Sequence, residues 1–580
     1  MSSAGPQQRR PRWISRFLST GLSQSAGRIR FVAMGFAAIY LTIGAKLIYV
    51  GAQPEPETAR RQAAQASSWA RPDLVDRNGR ILATDVRIDS AFAEPRRIVD
   101  KDEAIEKLMS ALPDLDPADL ASKIRSNRGF VWLKRRISSA ERERVFALGL
   151  PGVGFLPEYQ RVYPNGPIGA HVLGSTNIDN VGIAGLEKYI DSLGLADLSG
   201  AGFRVTHADL KPVRVSLDIR ATHALRDELY KGMVRYKAVA AAAAIMDVRT
   251  GEIVALASLP DFDPNNPADA LKEQNINRMS VGVFEMGSTF KALTLAMALD
   301  AGKVNLNTRL DARNALRHGR FTIRDYRGQG RMLTVSETFT YSSNIASARL
   351  GMMMGVKHHQ DFLRKLGQLT RLETELPESA RPLLPANWTE LSTMTISFGH
   401  GLAVSPLQSM KGVAALVNGG RLVRPTFLYR DPSAPPPDAP QVLRPETSEK
   451  MRYIMRLNAE VGSARSADRK GYFAGGKTGT AQKVINGRYA NNVVLTTFTA
   501  IAPADDPKYL FLTVYDEPKG IPETHGFRTA GWNAGPVTGR IIERVAPLLD
   551  LAPRRENPAQ PFPVVARTGY GLPSGGRSWR

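Results

Sequence analysis

"FEMGSTFKALTL", Phe284–Leu295, sets a serine and a lysine three residues apart where an apolar run begins. Residues three apart share one face of a helix, so the Lys291 amine can reach the Ser288 hydroxyl. At a helix amino terminus the free N–H groups and the positive end of the dipole favour an oxyanion and lower the lysine pKa. That arrangement suits a nucleophile beside its base. It equally suits a helix whose first turn is capped by Ser288 and whose Lys291 lies on the surface. A Ser-x-x-Lys spacing should occur about twice by chance in a chain this long, so the rest of the sequence has to decide.

Two further elements follow in order. "YSSNIAS" supplies Ser342 and Asn344, a hydroxyl and a carboxamide two residues apart, and "GGKTGTAQ" supplies Lys477, Thr478, Gly479 and Thr480 at the head of a strand. Each is a common polar turn or strand end when taken alone. In this order the three form the signature of serine enzymes that recognise penicillin. "GYFAGGKT", Gly471–Thr478, also satisfies the phosphate-loop pattern. A phosphate loop needs a helix after its lysine, whereas this segment continues as a strand to a turn at Asn486-Gly487. An NTPase is therefore not expected. His358 and His359 lack zinc-site spacing and read as surface residues; His400 in "FGHGLAVSPLQ" reads as structural, with a place in a cleft as the alternative.

The 580 residues exceed one core, so several domains are expected. The chain has no cysteine, which excludes disulfides and thiol catalysis. Its net charge of +22 is uneven: residues 1–50 carry seven positive charges and no acid, and residues 551–580 carry five arginines against Glu556. The +11 left for residues 51–550 suits a domain facing an anionic polymer or membrane. No nucleic-acid motif is present, and no nucleic-acid partner is expected. Phe31–Ala52 is long enough for a membrane-spanning helix, with six arginines before it and no acid before Glu55. By the positive-inside rule the amino terminus is cytoplasmic and everything beyond residue 53 is exported.

The expected order is a basic tail (1–30), a transmembrane anchor (31–52), a spacer or pedestal domain (53–212), a catalytic domain (213–550) and a Pro/Gly-rich disordered tail (551–580). Within the pedestal, helices are expected at Asp102–Leu112 and near Ser139–Leu148. In the catalytic domain "AVAAAAAIMDV" and "IVALASL" form a hairpin, a helix-rich middle runs from Ser288 to about residue 425, and "DPSAPPPDAP" crosses as an exposed loop. Three strands and the helix "NAGPVTGRIIERVAPLLDL" complete it. The fold class is α/β (α+β) multidomain, with a five-stranded antiparallel sheet flanked by helices.

With "DLVDRNGRILA", "RVYPNGPIGAHVLG", "GIAGLEKYID", "VSLDIRATHALRDEL", "GEIVALASLPDFDPNNP" and "TAGWNAGP" added to the triplet, the chain resembles a class B penicillin-binding protein from the anchor to about residue 550. "SSN", "FVWLKRRIS" and "LGLPGVGF" make it most similar to the division-specific, septal (FtsI-like) type. Met286 stands where the family usually has proline, and Pro72 where it usually has glycine before "DRNG".

The resemblance implies a peptidoglycan D,D-transpeptidase needing no metal or organic cofactor. Ser288 would attack the penultimate D-Ala carbonyl of a stem peptide, with unprotonated Lys291 as base. Ser342 would pass a proton to the leaving D-Ala, with Lys477 keeping that network electropositive. Asn344 would position the substrate amide, and Lys477, Thr478 and Thr480 would bind the donor carboxylate around Gly479. The backbone N–H groups of Ser288 and Thr480 would form the oxyanion hole. Implied partners are stem peptides on lipid-linked nascent glycan, a SEDS-family (FtsW-like) glycan polymerase and other division proteins at the septum of the inner membrane, and β-lactams as inhibitors. An elongation-type transpeptidase and a penicillin-binding sensor or inactive division scaffold are the alternatives; turnover separates the last from an enzyme.

Overall fold

The computed structural model describes residues 24–52, 70–195, 210–485 and 487–555. The start of the basic tail, the connector 53–69, Asn486 and the tail from 556 onward lie outside the described residues. Two compact units are distinguished. One comprises Met1–Ala66, Phe92–Leu133 and Arg144–Gly154; the other comprises Ser67–Ala91, Lys134–Glu143 and Phe155–Arg580.

In the first unit the helix Gln24–Ala52 carries the apolar run. Its described side chains run from Val32 to Ile48 and are exposed almost throughout, Met34, Phe36 and Leu41 among them. That stretch is shorter than the roughly 20 residues needed for a span, and among the described residues no helix is long and apolar enough to cross a membrane. The helix expected at Asp102–Leu112 is Lys101–Ala111, and Pro117–Arg125 packs beside it. Asp100 and Asp116 cap the two, accepting from the N–H groups of Asp102 and Glu103 and of Asp119. A helix over Ser139–Ala147 matches the second expected one.

The second unit begins with a knot of buried charge. Arg71 and Glu187 are fully buried and Arg161 nearly so. The Arg71 Nε donates to Glu187 Oε2 at 2.7 Å and the Arg161 Nε to Glu187 Oε1 at 2.7 Å. Arg71 also reaches Asp191 at 2.6 Å, and Arg161 reaches the Pro72 carbonyl at 2.9 Å. Burial opposes the Glu187 charge, but the two guanidinium groups outweigh it and hold the carboxyl below its usual range. The "DRNG" turn ties this region to the chain leading into the next domain. Asp76 accepts from the N–H groups of Asn78, Arg80 and Ile219, while the Asn78 amide donates to Asp218 at 2.8 Å. Asp218 in turn caps the helix Ile219–Arg235, here α1.

A five-stranded sheet of the second unit has strands β1 (Ala240–Asp247), β2 (Ile253–Leu259), β3 (Gly475–Ile485), β4 (Arg488–Ala502) and β5 (Tyr509–Asp516). Their order is β3-β4-β5-β1-β2 and every pairing is antiparallel. Successive side chains point to opposite faces. Ala241, Ala243 and Ile245 therefore join a core with α1 and the carboxy-terminal helix Ala534–Val545, while Ala242, Ala244 and Met246 join a core on the other face. Because both faces are covered, β1 reads as one apolar run instead of an alternating pattern. The second core is built on α2 (Lys291–Asp300), α3 (Asn344–Met354), α4 (Pro406–Val417) and α5 (Pro445–Val461).

Residues 431–440 form an irregular, largely exposed crossing. The middle region also holds two small strand pairs the sequence did not suggest, Arg309–Asp311 with Met332–Thr334 and Leu316–His318 with Phe321–Ile323. At the carboxy end the chain stays packed beyond 550: Leu551 is buried and Arg554 makes a two-pronged pair with Asp505. In Glu187→Ala, Arg71 keeps Asp191 and Arg161 keeps Asp85, but both buried guanidinium groups lose the carboxylate they share, which should cost about 3–5 kcal/mol. The shift of the denaturant midpoint at constant m-value measures it.

Candidate active site

The element opening the site is a 3-10 turn, Gly287–Phe290, that runs directly into α2. In a 3-10 turn side chains at i and i+3 eclipse one another. Ser288 and Lys291 therefore stack, and Nζ lies 3.0 Å from Oγ. Ser288 caps nothing, since the turn has no side-chain cap bond, and Lys291 is fully buried instead of solvated.

The chain's other polar motifs close around this amine. Lys291 Nζ lies 2.5 Å from the Ser342 carbonyl, 3.0 Å from Ser342 Oγ and 2.7 Å from Asn344 Oδ1. Lys477 Nζ donates to the same Ser342 Oγ at 2.9 Å, under the Phe339 ring. Ser342 has φ +57°, a left-handed conformation costing a non-glycine residue on the order of 1–2 kcal/mol. That turn aims both its carbonyl and its hydroxyl at Lys291.

Lys477, Thr478, Gly479 and Thr480 lie on β3, at an edge of the sheet. Alternation puts Lys477 and Gly479 on one face and Thr478 and Thr480 on the other. The Thr478 hydroxyl donates to Ser463 Oγ at 2.9 Å, and Thr480 Oγ1 accepts from the Ala530 N–H at 3.2 Å. The strand continues through Lys477 with no helix after it, which removes the phosphate-loop reading.

Gly479 is required by space: a Cβ there would stand 2.2 Å from Thr497 Oγ1 and 2.6 Å from the Met286 carbonyl. Gly287, at φ +53°, lets the residue before Ser288 press against the Thr480 backbone. Met286 is fully buried at φ −76°, and its carbonyl accepts from the Thr289 and Thr497 hydroxyls at 2.7 and 3.2 Å. Proline would hold nearly the same φ, so the unusual residue leaves the loop path intact.

Burial, reinforced by the charge of Lys477, holds the Lys291 amine well below its ordinary value. Burial alone takes Lys477 down to about 7. Two buried amines so close cannot both be ammonium ions at modest cost. The neutral form of Lys291 meets two carbonyl-type acceptors with its two N–H groups and keeps its lone pair for the Ser288 hydroxyl.

A rim absent from the sequence reasoning borders the turn. Glu285 Oε1 accepts from the Gly401 N–H at 2.8 Å and the Tyr489 hydroxyl at 3.0 Å, and burial raises its carboxyl pKa. His400 packs edge-on to Tyr489, and burial pushes its imidazole down to about 4. Its ring sits against those of Phe398 and Tyr489, a placement compatible with the structural role expected of it. His359 differs from expectation: it is buried, edge-on to Trp388, while His358 is exposed. The apolar side of the amphipathic helix Val356–Lys365 turns it inward. Asp325, beneath the Ser342–Asn344 turn, was likewise missed because it lies 17 residues upstream of Ser342.

The penicillin-binding protein transpeptidase domain matches residues 241–543, and the penicillin-binding protein dimerisation domain matches residues 67–195. The chain is 37% identical over 502 residues to the probable peptidoglycan D,D-transpeptidase FtsI of Caulobacter vibrioides, covering 85% of this chain and 84% of that protein. It is 29% identical to the peptidoglycan D,D-transpeptidase FtsI of Escherichia coli, covering 89% of each. The apo structure of the TP domain from Burkholderia pseudomallei penicillin-binding protein 3 superposes with a TM-score of 0.53 at 28% identity, over 59% of this chain and 97% of that one.

Two measurements test the site as built. Gly479→Ala should destabilise the domain by about 1–3 kcal/mol in denaturant unfolding, as overpacking does. NMR titration of 13C-labelled lysine should show Lys477 titrating at about 7; a midpoint near 10, as for surface lysines, would contradict the dry environment.

Proposed function

Since this chain belongs to the penicillin-binding proteins, carrying their transpeptidase and dimerisation domains, we propose that Ser288 is its acylated nucleophile and Lys291 the base. The protein is a peptidoglycan D,D-transpeptidase that cross-links stem peptides during septal wall synthesis, and it is a β-lactam target. The observation carrying the site assignment is one unbroken chain of contacts. It runs from Ser288 Oγ to Lys291 Nζ at 3.0 Å, on to Ser342 Oγ at 3.0 Å and to Lys477 Nζ at 2.9 Å.

Acylation then proceeds as follows. A donor peptide lies antiparallel along the free edge of β3, extending the sheet. Its terminal carboxylate is held by Lys477 and the Thr478 and Thr480 hydroxyls. The Ser288 hydroxyl gives its proton to the Lys291 lone pair as Oγ attacks the penultimate D-Ala carbonyl. The N–H groups of Ser288 and Thr480 stabilise the oxyanion. The C–N bond breaks and the leaving amine takes a proton from the Ser342 hydroxyl, which the adjacent lysines replenish. Asn344, with Oδ1 engaged by Lys291, keeps an N–H for the substrate amide. The amine of a second stem peptide attacks the acyl-enzyme, forms the new amide and regenerates Ser288. A β-lactam follows the first half, but its opened ring stays attached and blocks the second.

We place the apolar helix Gln24–Ala52 in the inner membrane with the catalytic domain periplasmic, because its apolar side chains are exposed and basic residues precede it. A pedestal over 53–212, a catalytic domain from 213 onward, a pedestal contact with a SEDS-family polymerase of FtsW type, and midcell recruitment complete the proposal.

Labelled penicillin followed by peptide mass spectrometry should mark Ser288. Ser288→Ala should lose both labelling and cross-linked product while melting at the wild-type temperature. Cross-linking that persists in this variant would overturn the assignment.

A further inference from the structure

We propose that Asp325 is a positioning residue for acyl transfer, holding the Ser342–Asn344 turn against Lys291. The inference rests on the acyl-enzyme reading of Ser288.

The Ser342 backbone is left-handed, so something must hold it there. Asp325, half-buried in the loop between Phe321–Ile323 and Met332–Thr334, meets the turn with both carboxylate oxygens. Oδ2 accepts from the Ser343 hydroxyl at 2.7 Å. Oδ1 accepts from the N–H groups of Asn344 at 2.5 Å and Ile345 at 3.0 Å. The preceding carbonyl, Arg324 O, accepts from the Asn344 side-chain amide at 3.0 Å. Asn344 is thus gripped at its backbone by Asp325 and at its amide nitrogen by Arg324, which leaves Oδ1 facing Lys291 at 2.7 Å. Ser343 and Asn344, the second and third residues of SSN, are thus bonded directly to this one carboxylate, and Ser342 precedes them in the same turn. Three charge-assisted bonds to three consecutive residues fix the geometry of the turn.

The carboxylate also acts on the base through space. Three charged or titratable groups bear on Lys291: Lys477, which disfavours its ammonium form; Asp325, which favours it; and the His400 imidazole across the cleft. Lys291 must be unprotonated to take the Ser288 proton. Taking away the Asp325 charge therefore makes the proton leave more easily and moves the acid limb of the acylation profile to lower pH. A residue that merely supported the fold would lower the melting temperature and leave that limb in place.

The test compares acylation by labelled penicillin across pH in wild type, Asp325→Asn and Asp325→Glu, with thermal melts. Asp325→Asn should acylate on the order of 100-fold more slowly, as for a misplaced reacting group, with its acid limb displaced to lower pH. Asp325→Glu keeps the charge, so its limb should stay at the wild-type position while its rate recovers in part. A wild-type rate and an unmoved limb in Asp325→Asn would overturn the proposal. If Asp325→Asn does not fold, Ser343→Ala removes one of the three bonds and should slow acylation with the limb unmoved; a wild-type rate there would overturn the proposal too. Ser288→Ala run alongside separates the two readings. Label on that variant means the acyl-enzyme reading fails, whereas its absence with a normal Asp325→Asn means only the role of Asp325 fails.

Discussion

Two amines share one hydroxyl in the dry interior of this protein, and the rest of the site is arranged around that constraint. Lys291 and Lys477 are both buried and both approach Ser342 Oγ. Water cannot pay their solvation, so backbone and amide oxygens must. The cost of keeping an ammonium ion there is what holds Lys291 neutral and therefore basic towards a hydroxyl. The same burial that would be a fault in a structural core is here the source of the reactivity. It demands a rigid surround, because an amine allowed to reach solvent would regain its proton.

Rigidity comes from close approach of backbones. The nucleophile's turn is pinned between Gly479 on one strand and the loop at Gly399, where a Cβ would stand 1.8 Å from the Gly287 carbonyl. Strand β3 is held on one side only, by β4, which keeps its other edge open for a peptide. The sheet behind it is covered on both faces, so the edge strand rests on a fully packed platform. The order of the sheet brings the third motif, nearly 190 residues after Ser288, into contact with the first.

Much of this was legible in the sequence, for local reasons. The β1–β2 hairpin announced itself by two apolar runs around a tight turn, and the β3–β4 hairpin by its Asn-Gly turn. The three motifs carried the chemistry because their residue types at those spacings have few other uses together. What escaped notice was long-range. The Arg71–Glu187 pair spans 116 residues, and Glu285 meets Tyr489 across 204. A lone acid such as Asp325 among ordinary loop residues carries no local sign of its partners. His359 was misplaced because its neighbour His358 is exposed, although one step along a helix turns a side chain by about 100°. The four short strands between Arg309 and Thr334 are too brief to show a period of two.

Met286 shows how a departure from type can be absorbed. Its backbone already holds the torsion that a proline ring would impose, and its side chain fills a volume sealed from water. Proline would lower the entropy of the unfolded chain at this point, whereas methionine contributes a flexible thioether that moulds to the cavity it enters. The two residues exchange a constraint on the denatured ensemble for contact area in the native one. The nucleophile's turn is thus anchored from inside the core, and what lies beneath it is tolerant of shape even where the backbone above it is not.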